Sequence, residues 1–178
     1  FVFALLACVF YGCCEAPATK SEEPKKVGIQ LYSVLSSVVD NPEATIERLS
    51  KLGYNQVELV QWGGDPKVFA TEFKALCDKY GVEIISTHSG IQEEPENEAA
   101  VLERWRAAFA SVKECGGRYF IVPGYGVDYT VEGLQQMCAY FNKIGKIAKE
   151  EYGLEFGYHN HSHEYTTLKD TDIVMWEY

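Results

Sequence analysis

From Val27 onward the chain repeats one pattern of apolar and polar positions. A charge-dotted stretch with apolar residues at helical spacing ends in glycine, and a short apolar run begins soon after. Lys51-Leu52-Gly53 leads to Val57-Glu58-Leu59-Val60, and Lys79-Tyr80-Gly81 to Val82-Glu83-Ile84-Ile85. Glu114-Cys115-Gly116-Gly117 leads to Tyr119-Phe120-Ile121-Val122, and Glu151-Tyr152-Gly153 to Leu154-Glu155-Phe156. Glycine takes the left-handed backbone that closes a helix, so each of these marks a helix end and the run after it a strand. Matching start signals lie between the runs. Asp40-Asn41-Pro42 opens a helix carrying Ile46, Leu49 and Leu52, and Asp65-Pro66 one carrying Phe69, Phe73 and Leu76. Residues 98–115 predict a third, with Leu102, Trp105, Ala108, Phe109 and Val112 on its stripe. Residues 130–152 predict a fourth, with Leu134, Met137, Phe141, Ile144 and Ile147. These stripes are core.

With a first strand around Gly28-Ile29-Gln30, five strands alternate with four helices, which predicts an α/β fold with a parallel sheet. An open doubly wound sheet and a (β/α)8 TIM barrel compete. The first strand is followed by Val34-Leu35-Ser36-Ser37, with no glycine-rich phosphate loop, so the main mark of a dinucleotide fold is missing. Polar groups follow every strand: Gln30 and Tyr32, Glu58 and Gln61, His88, Tyr125, then a histidine cluster. That distribution suits a barrel mouth. The final Ile173-Val174-Met175-Trp176-Glu177-Tyr178 reads as a sixth strand, so the expectation is an incomplete barrel of about the first five to six units, the first part of a longer protein.

Composition narrows the partners. The 178 residues are 47% hydrophobic and 13% aromatic, enough for a sizeable core. The formal net charge is −10 and no basic run exceeds Lys25-Lys26, which argues against nucleic acid as a partner. Residues 1–12 are uncharged and nearly all apolar, too short to span a membrane and suited to the apolar core of a secretory signal. A small residue before cysteine, in Leu5-Leu6-Ala7-Cys8 or Gly12-Cys13, resembles a bacterial lipoprotein signal. The expected division is a signal or lipoprotein segment at 1–14, a polar linker at 15–26 and the barrel at 27–178. A lipid anchor and an exported, periplasmic or outer-membrane location follow as expectations. Cys77, Cys115 and Cys138 show no paired spacing and are expected to be core thiols.

The chemistry concentrates in histidine. The chain has four, and three stand close together in Gly157-Tyr158-His159-Asn160-His161-Ser162-His163-Glu164, just after a strand. Imidazole serves as metal ligand, proton shuttle and neutral hydrogen-bonder near neutral pH. Strand alternation would send His159 and His161 to one side and Tyr158 and Asn160 to the other. The fourth, His88, closes Ile84-Ile85-Ser86-Thr87-His88, again where a β-branched run ends. His163 reads more simply as a loop residue.

On these residues the chain resembles the xylose-isomerase-like TIM-barrel superfamily, in its sugar phosphate isomerase/epimerase branch. The resemblance covers residues 27–178. It rests on Gly28-Ile29-Gln30-Leu31-Tyr32-Ser33, Val57-Glu58-Leu59, Ser86-Thr87-His88, and Gly157-Tyr158-His159-Asn160-His161 with Glu164. It implies sugar isomerisation or epimerisation by removal of a proton next to a carbonyl, assisted by a divalent metal such as Mn, Mg, Co or Zn. Metal ligands would be His159, standing where many members have glutamate, and His161, with further ligands beyond Tyr178. Glu58, His88 and Glu164 are the catalytic candidates, and Gln30, Tyr32, His88, Asn160 and His161 would bind substrate. The expected partner is a small-molecule sugar, and an oligomer is compatible. Lyase or hydrolase action on keto-glycosides, a non-catalytic carbohydrate-binding lipoprotein, and, last, abasic-site endonuclease activity are the alternatives.

Overall fold

The computed structural model describes residues 25–60 and 66–178, apart from the side chains of 66–70. Five strands form one sheet: β1 (Gly28–Gln30), β2 (Gln56–Val60), β3 (Glu83–His88), β4 (Tyr119–Val122) and β5 (Glu155–Tyr158). Their order is β1-β2-β3-β4-β5 and every pairing is parallel. A doubly wound sheet reverses its strand order at a switch point, whereas a barrel adds each strand beside the last. Unbroken sequential order therefore decides for the barrel.

The helices are α1 (Leu35–Asp40), α2 (Pro42–Lys51), α3 (Pro66–Lys79), α4 (Glu98–Glu114) and α5 (Val131–Ile147). α2 starts as its sequence predicts: Pro42 occupies the first turn and the Asn41 side chain accepts from the Ala44 N–H at 3.0 Å. The Thr130 hydroxyl caps α5 by accepting from Gly133 N–H at 3.0 Å. Gly53 (φ 93°) and Gly153 (φ 71°) sit in the left-handed region after their helices, where a β-carbon would be strained. The fourth predicted helix is α-helical to Ile147 and finishes in a π turn, Ala148–Tyr152.

Two differences are local. The short α1 fills a stretch to which the sequence pattern assigns no element, and Val38 on it is buried. The sixth strand does not form: Val174 makes one antiparallel bridge to Thr167, and Met175–Glu177 is a 3-10 turn. A parallel return needs a crossover long enough for a helix, and between Tyr158 and Ile173 there is only the 3-10 turn His163–Tyr165. The expectations on Gln61, Asp65 and Phe69, and on residues 1–24 with their cysteines, lie outside what is described.

The core sits between sheet and helices. Val57 and Leu59 share a cluster with Ile46, Leu49 and Phe73. On the other side of the arc Trp105, Phe109, Phe120 and Phe156 interlock, Trp105 lying 5.4 Å from Phe109 and from Phe120 between ring centres. The Trp105 indole N–H is satisfied by Tyr140 Oη at 2.7 Å, and that hydroxyl bonds Ile91 O at 3.2 Å. The aromatic core thus fixes the segment after β3 that borders the site. Cys77 and Cys115 are buried as expected, but Cys138 is exposed, because its place on α5 falls off the apolar stripe.

Candidate functional site

The carboxyl ends of the strands bring the polar residues together. Gln30 pairs in register with Glu58, and Glu58 with Ser86, so the three lie in one row across β1, β2 and β3. The pairing of β2 with β3 is irregular between Val57 and Glu58, where it skips Ile85. A regular ladder would put isoleucine beside the carboxylate; the irregularity puts a hydroxyl there. Glu58 Oε2 accepts from Ser86 Oγ at 2.6 Å and Oε1 from Gln30 Nε2 at 2.7 Å.

His88 Nδ1 lies 3.3 Å from Glu58 Oε1 and 3.1 Å from Gln30 Nε2. Carrying a proton, Nδ1 donates to the carboxylate; without one, it accepts from the amide. In both states Nε2 is the nitrogen left for the cleft. Burial pushes the His88 pKa below the ordinary histidine value; Glu58 opposes that shift, and His159 and His161 add to it.

His159 continues the ladder through its N–H, which donates to Val122 O at 2.8 Å. Its ring meets His88 edge-on, 4.8 Å between centres, and the His161 ring stands 4.8 Å beyond it. Gln30, Tyr32, His88, Arg104, His159 and His161 line one cleft of about 910 Å³. The two residues predicted to face together do so, although β5 ends at Tyr158 and they lie on the loop after it. Tyr158 points the other way, 5.9 Å from Phe141.

Two candidates lie elsewhere. Glu164 is only 1% exposed and does not line the cleft. Its Oε1 accepts from Tyr158 Oη at 2.5 Å and lies 2.9 Å from His163 Nε2, while Oε2 accepts from His161 N–H at 2.7 Å. Burial pushes this carboxyl up, but the bonds from Tyr158 and His161 and the nearby His163 outweigh it and hold the group below the usual carboxylate range. Asn160 turns its amide toward His161 O at 3.3 Å and Tyr165 Oη at 3.5 Å, also away from the cleft. Conversely, Ser86 and Arg104 had been given no role. Ser86 stands two residues before His88 in Ser86-Thr87-His88, and a polar residue so near a strand-end histidine is its signal. Arg104, paired with Glu94, had none, since helix periodicity flags only the apolar stripe.

Residues 46–174 match the family model described as "Xylose isomerase-like TIM barrel". A sugar phosphate isomerase/epimerase from Parabacteroides distasonis superposes with a TM-score of 0.74 at 23% identity, over 89% of this chain and 62% of that one. A D-psicose 3-epimerase solved with D-fructose gives 0.54 at 17% identity, over 77% and 55%. The IolI protein with a zinc atom gives 0.54 at 10% identity, over 75% and 51%. The chain thus spans about three fifths of the first of these structures. Identities this low speak for the fold alone. No curated protein matches the chain.

Proposed function

This chain belongs to the xylose isomerase-like TIM-barrel family, and from that premise we propose that it carries the early-strand half of a sugar isomerase or epimerase site. The observation that carries the reading is the meeting of Gln30, His88, His159 and His161 at one cleft, with Glu58 behind them, bonded to Gln30 and beside His88. The named relatives with sugar isomerase or epimerase titles support it.

Isomerisation or epimerisation removes a proton from carbon beside a carbonyl, and charge builds on that oxygen. In our reading His88 Nε2 takes the proton. Nδ1–H then donates to Glu58, which steadies the imidazolium while Ser86 and Gln30 hold the carboxylate in place. Gln30 and Tyr32 bind sugar hydroxyls from the rim. Glu164 and Asn160 act indirectly, by shaping the loop that carries His159 and His161. The family and the zinc-bearing neighbour point to a divalent cation. Imidazole nitrogens suit Zn²⁺, Co²⁺ and their neighbours, and His159 and His161 bring two of them to the cleft, so the residues fit one. When bound there, the cation supplies polarisation of the sugar carbonyl.

We extend the proposal to export as a lipid-anchored protein, resting on residues 1–14. Free sugars and keto-glycosides are then the relevant substrates, and lyase chemistry on the latter begins with the same proton removal. The test is turnover of an aldose, ketose and keto-glycoside panel in deuterated water. Glu58→Gln and His88→Gln should each lower kcat about 10²- to 10⁴-fold with little change in KM. Unchanged turnover and unchanged deuterium uptake in both variants would reject the reading.

A further inference from the structure

We propose that Arg104 determines specificity in the cleft, and that it selects sugars carrying a carboxylate, acids of the uronate class, over their neutral counterparts. This rests on the sugar isomerase or epimerase reading of the same cleft and gives it a substrate class. Arg104, Ala107 and Ala108 stand at helical spacing on α4 and line the cleft together, while His88, His159 and His161 reach it from β3 and the loop after β5. Two of the three α4 positions hold only a methyl group, and the one long side chain among them is a cation. The neighbouring Trp105, fully buried and bonded to Tyr140, fixes this part of the helix. The cleft's volume of about 910 Å³ falls within the about 300–1,000 Å³ of small-molecule sites. A sugar can therefore meet the imidazoles with its reacting carbon and α4 with its acid group.

Charge gives the class of ligand. The chain carries a formal net charge of −10, yet no Asp or Glu lines the cleft, and Arg104 is its one permanent cation among the described residues. Glu58 lies behind Gln30 and His88 with both oxygens engaged. A neutral sugar needs no such cation. Arg104 donates through Nη2 to Glu94 Oε1, and the two side chains are about half exposed. Glu94 does not line the cleft, so the pair steadies the guanidinium from outside and leaves Nη1 and Nε to donate elsewhere. One carboxylate thus already sits on this group, supplied by the chain itself; the acid group of a substrate shares it or takes its place. A guanidinium matches a carboxylate in charge and in the spacing of its fork. A phosphate monoester, with about two negative charges and three acceptor oxygens near neutral pH, calls for more than one half-exposed cation. Being unphosphorylated, a sugar acid also agrees with the export proposal.

The test measures binding to the full chain by ligand-observed NMR, with D-glucuronate against D-glucose and D-galacturonate against D-galactose. The acid of at least one pair should bind about three- to tenfold tighter, the margin a half-exposed ion pair gives, and added salt should narrow it. Arg104→Gln, at an exposed helical position, should erase that margin. Arg104→Lys should keep part of it, because the charge survives and the fork does not. Glu94→Gln should widen it, since the internal competitor is gone. Equal binding of acid and neutral sugar to the parent chain would overturn the proposal, as would a margin that persists in Arg104→Gln. Tighter binding of D-glucose 6-phosphate than of D-glucuronate would overturn the choice of carboxylate. If no sugar binds at all, the carbohydrate reading falls and this proposal with it, whereas sugar binding without acid preference removes this proposal alone.

Discussion

Glu58 is held by donors on both oxygens and reaches the cleft only through His88, so its charge and its fixed rotamer matter together. A half-buried carboxylate in such a network costs little while every partner is present and much when one is lost. The sequence singled out Glu58 and His88, since an acid in an apolar strand and a histidine at a strand's end are local anomalies. It gave no sign that Glu164 is buried, because burial is decided by what folds over a residue, and here the Tyr158 and His163 side chains do so. The thiols give a test at this scale. Burial pushes Cys77 up to about 12 and Cys115 to about 11, while Cys138 is exposed. Of these three, only Cys138 should react with a thiol reagent in the native chain; rapid labelling of all three without denaturant would contradict this packing. Because the folded values exceed the ordinary thiol value of 9.0, the unfolded state loses protons first as pH rises. The thiol contribution to stability is therefore complete below pH 9 and declines above it, which alkaline denaturation of Cys77→Ala against the parent would reveal as a flatter high-pH limb.

Helices and strands place these residues through their ends. Thr130 and Gly133 start α5, and the chain before it folds close against that first turn. A β-carbon at position 133 would lie 2.4 Å from Asp128 O, a backbone atom with little room to retreat. Gly133→Ala should destabilise by about 1–3 kcal/mol, measured by denaturant melts, despite alanine's better helix propensity. A neutral or stabilising result would show that the turn yields. The strand registers carry the site: sequence periodicity located β2 and β3, but the skip past Ile85 that sets Ser86 beside Glu58 belongs to the ladder between them. The loop after β5 repeats this lesson. Alternation predicted the sides of Tyr158 and His159 because the ladder runs on through His159 N–H, one residue past the strand.

For the whole molecule, sequential strand order settles the barrel and leaves the outer edges of β1 and β5 without a further strand among the described residues. Tyr165 and Trp176, both more than half exposed, stack 5.9 Å apart in the segment following β5. Open strand edges and exposed aromatics drive association, so the chain expressed by itself should form oligomers or aggregates in sedimentation. A monodisperse monomer with one cooperative melt would refute this. The amino-acid sequence by itself determined five strands and four helices, the start of α2, the parallel α/β class and the placing of the histidines at or after strand ends, because each follows from short-range periodicity, backbone preference and side-chain chemistry. Tertiary structure alone decided the strand order, the failure of the sixth strand, the burial of Glu164 and the joining of Gln30, Glu58, Ser86 and His88 into one network. Those depend on which distant segments pack side by side, and no local pattern encodes that.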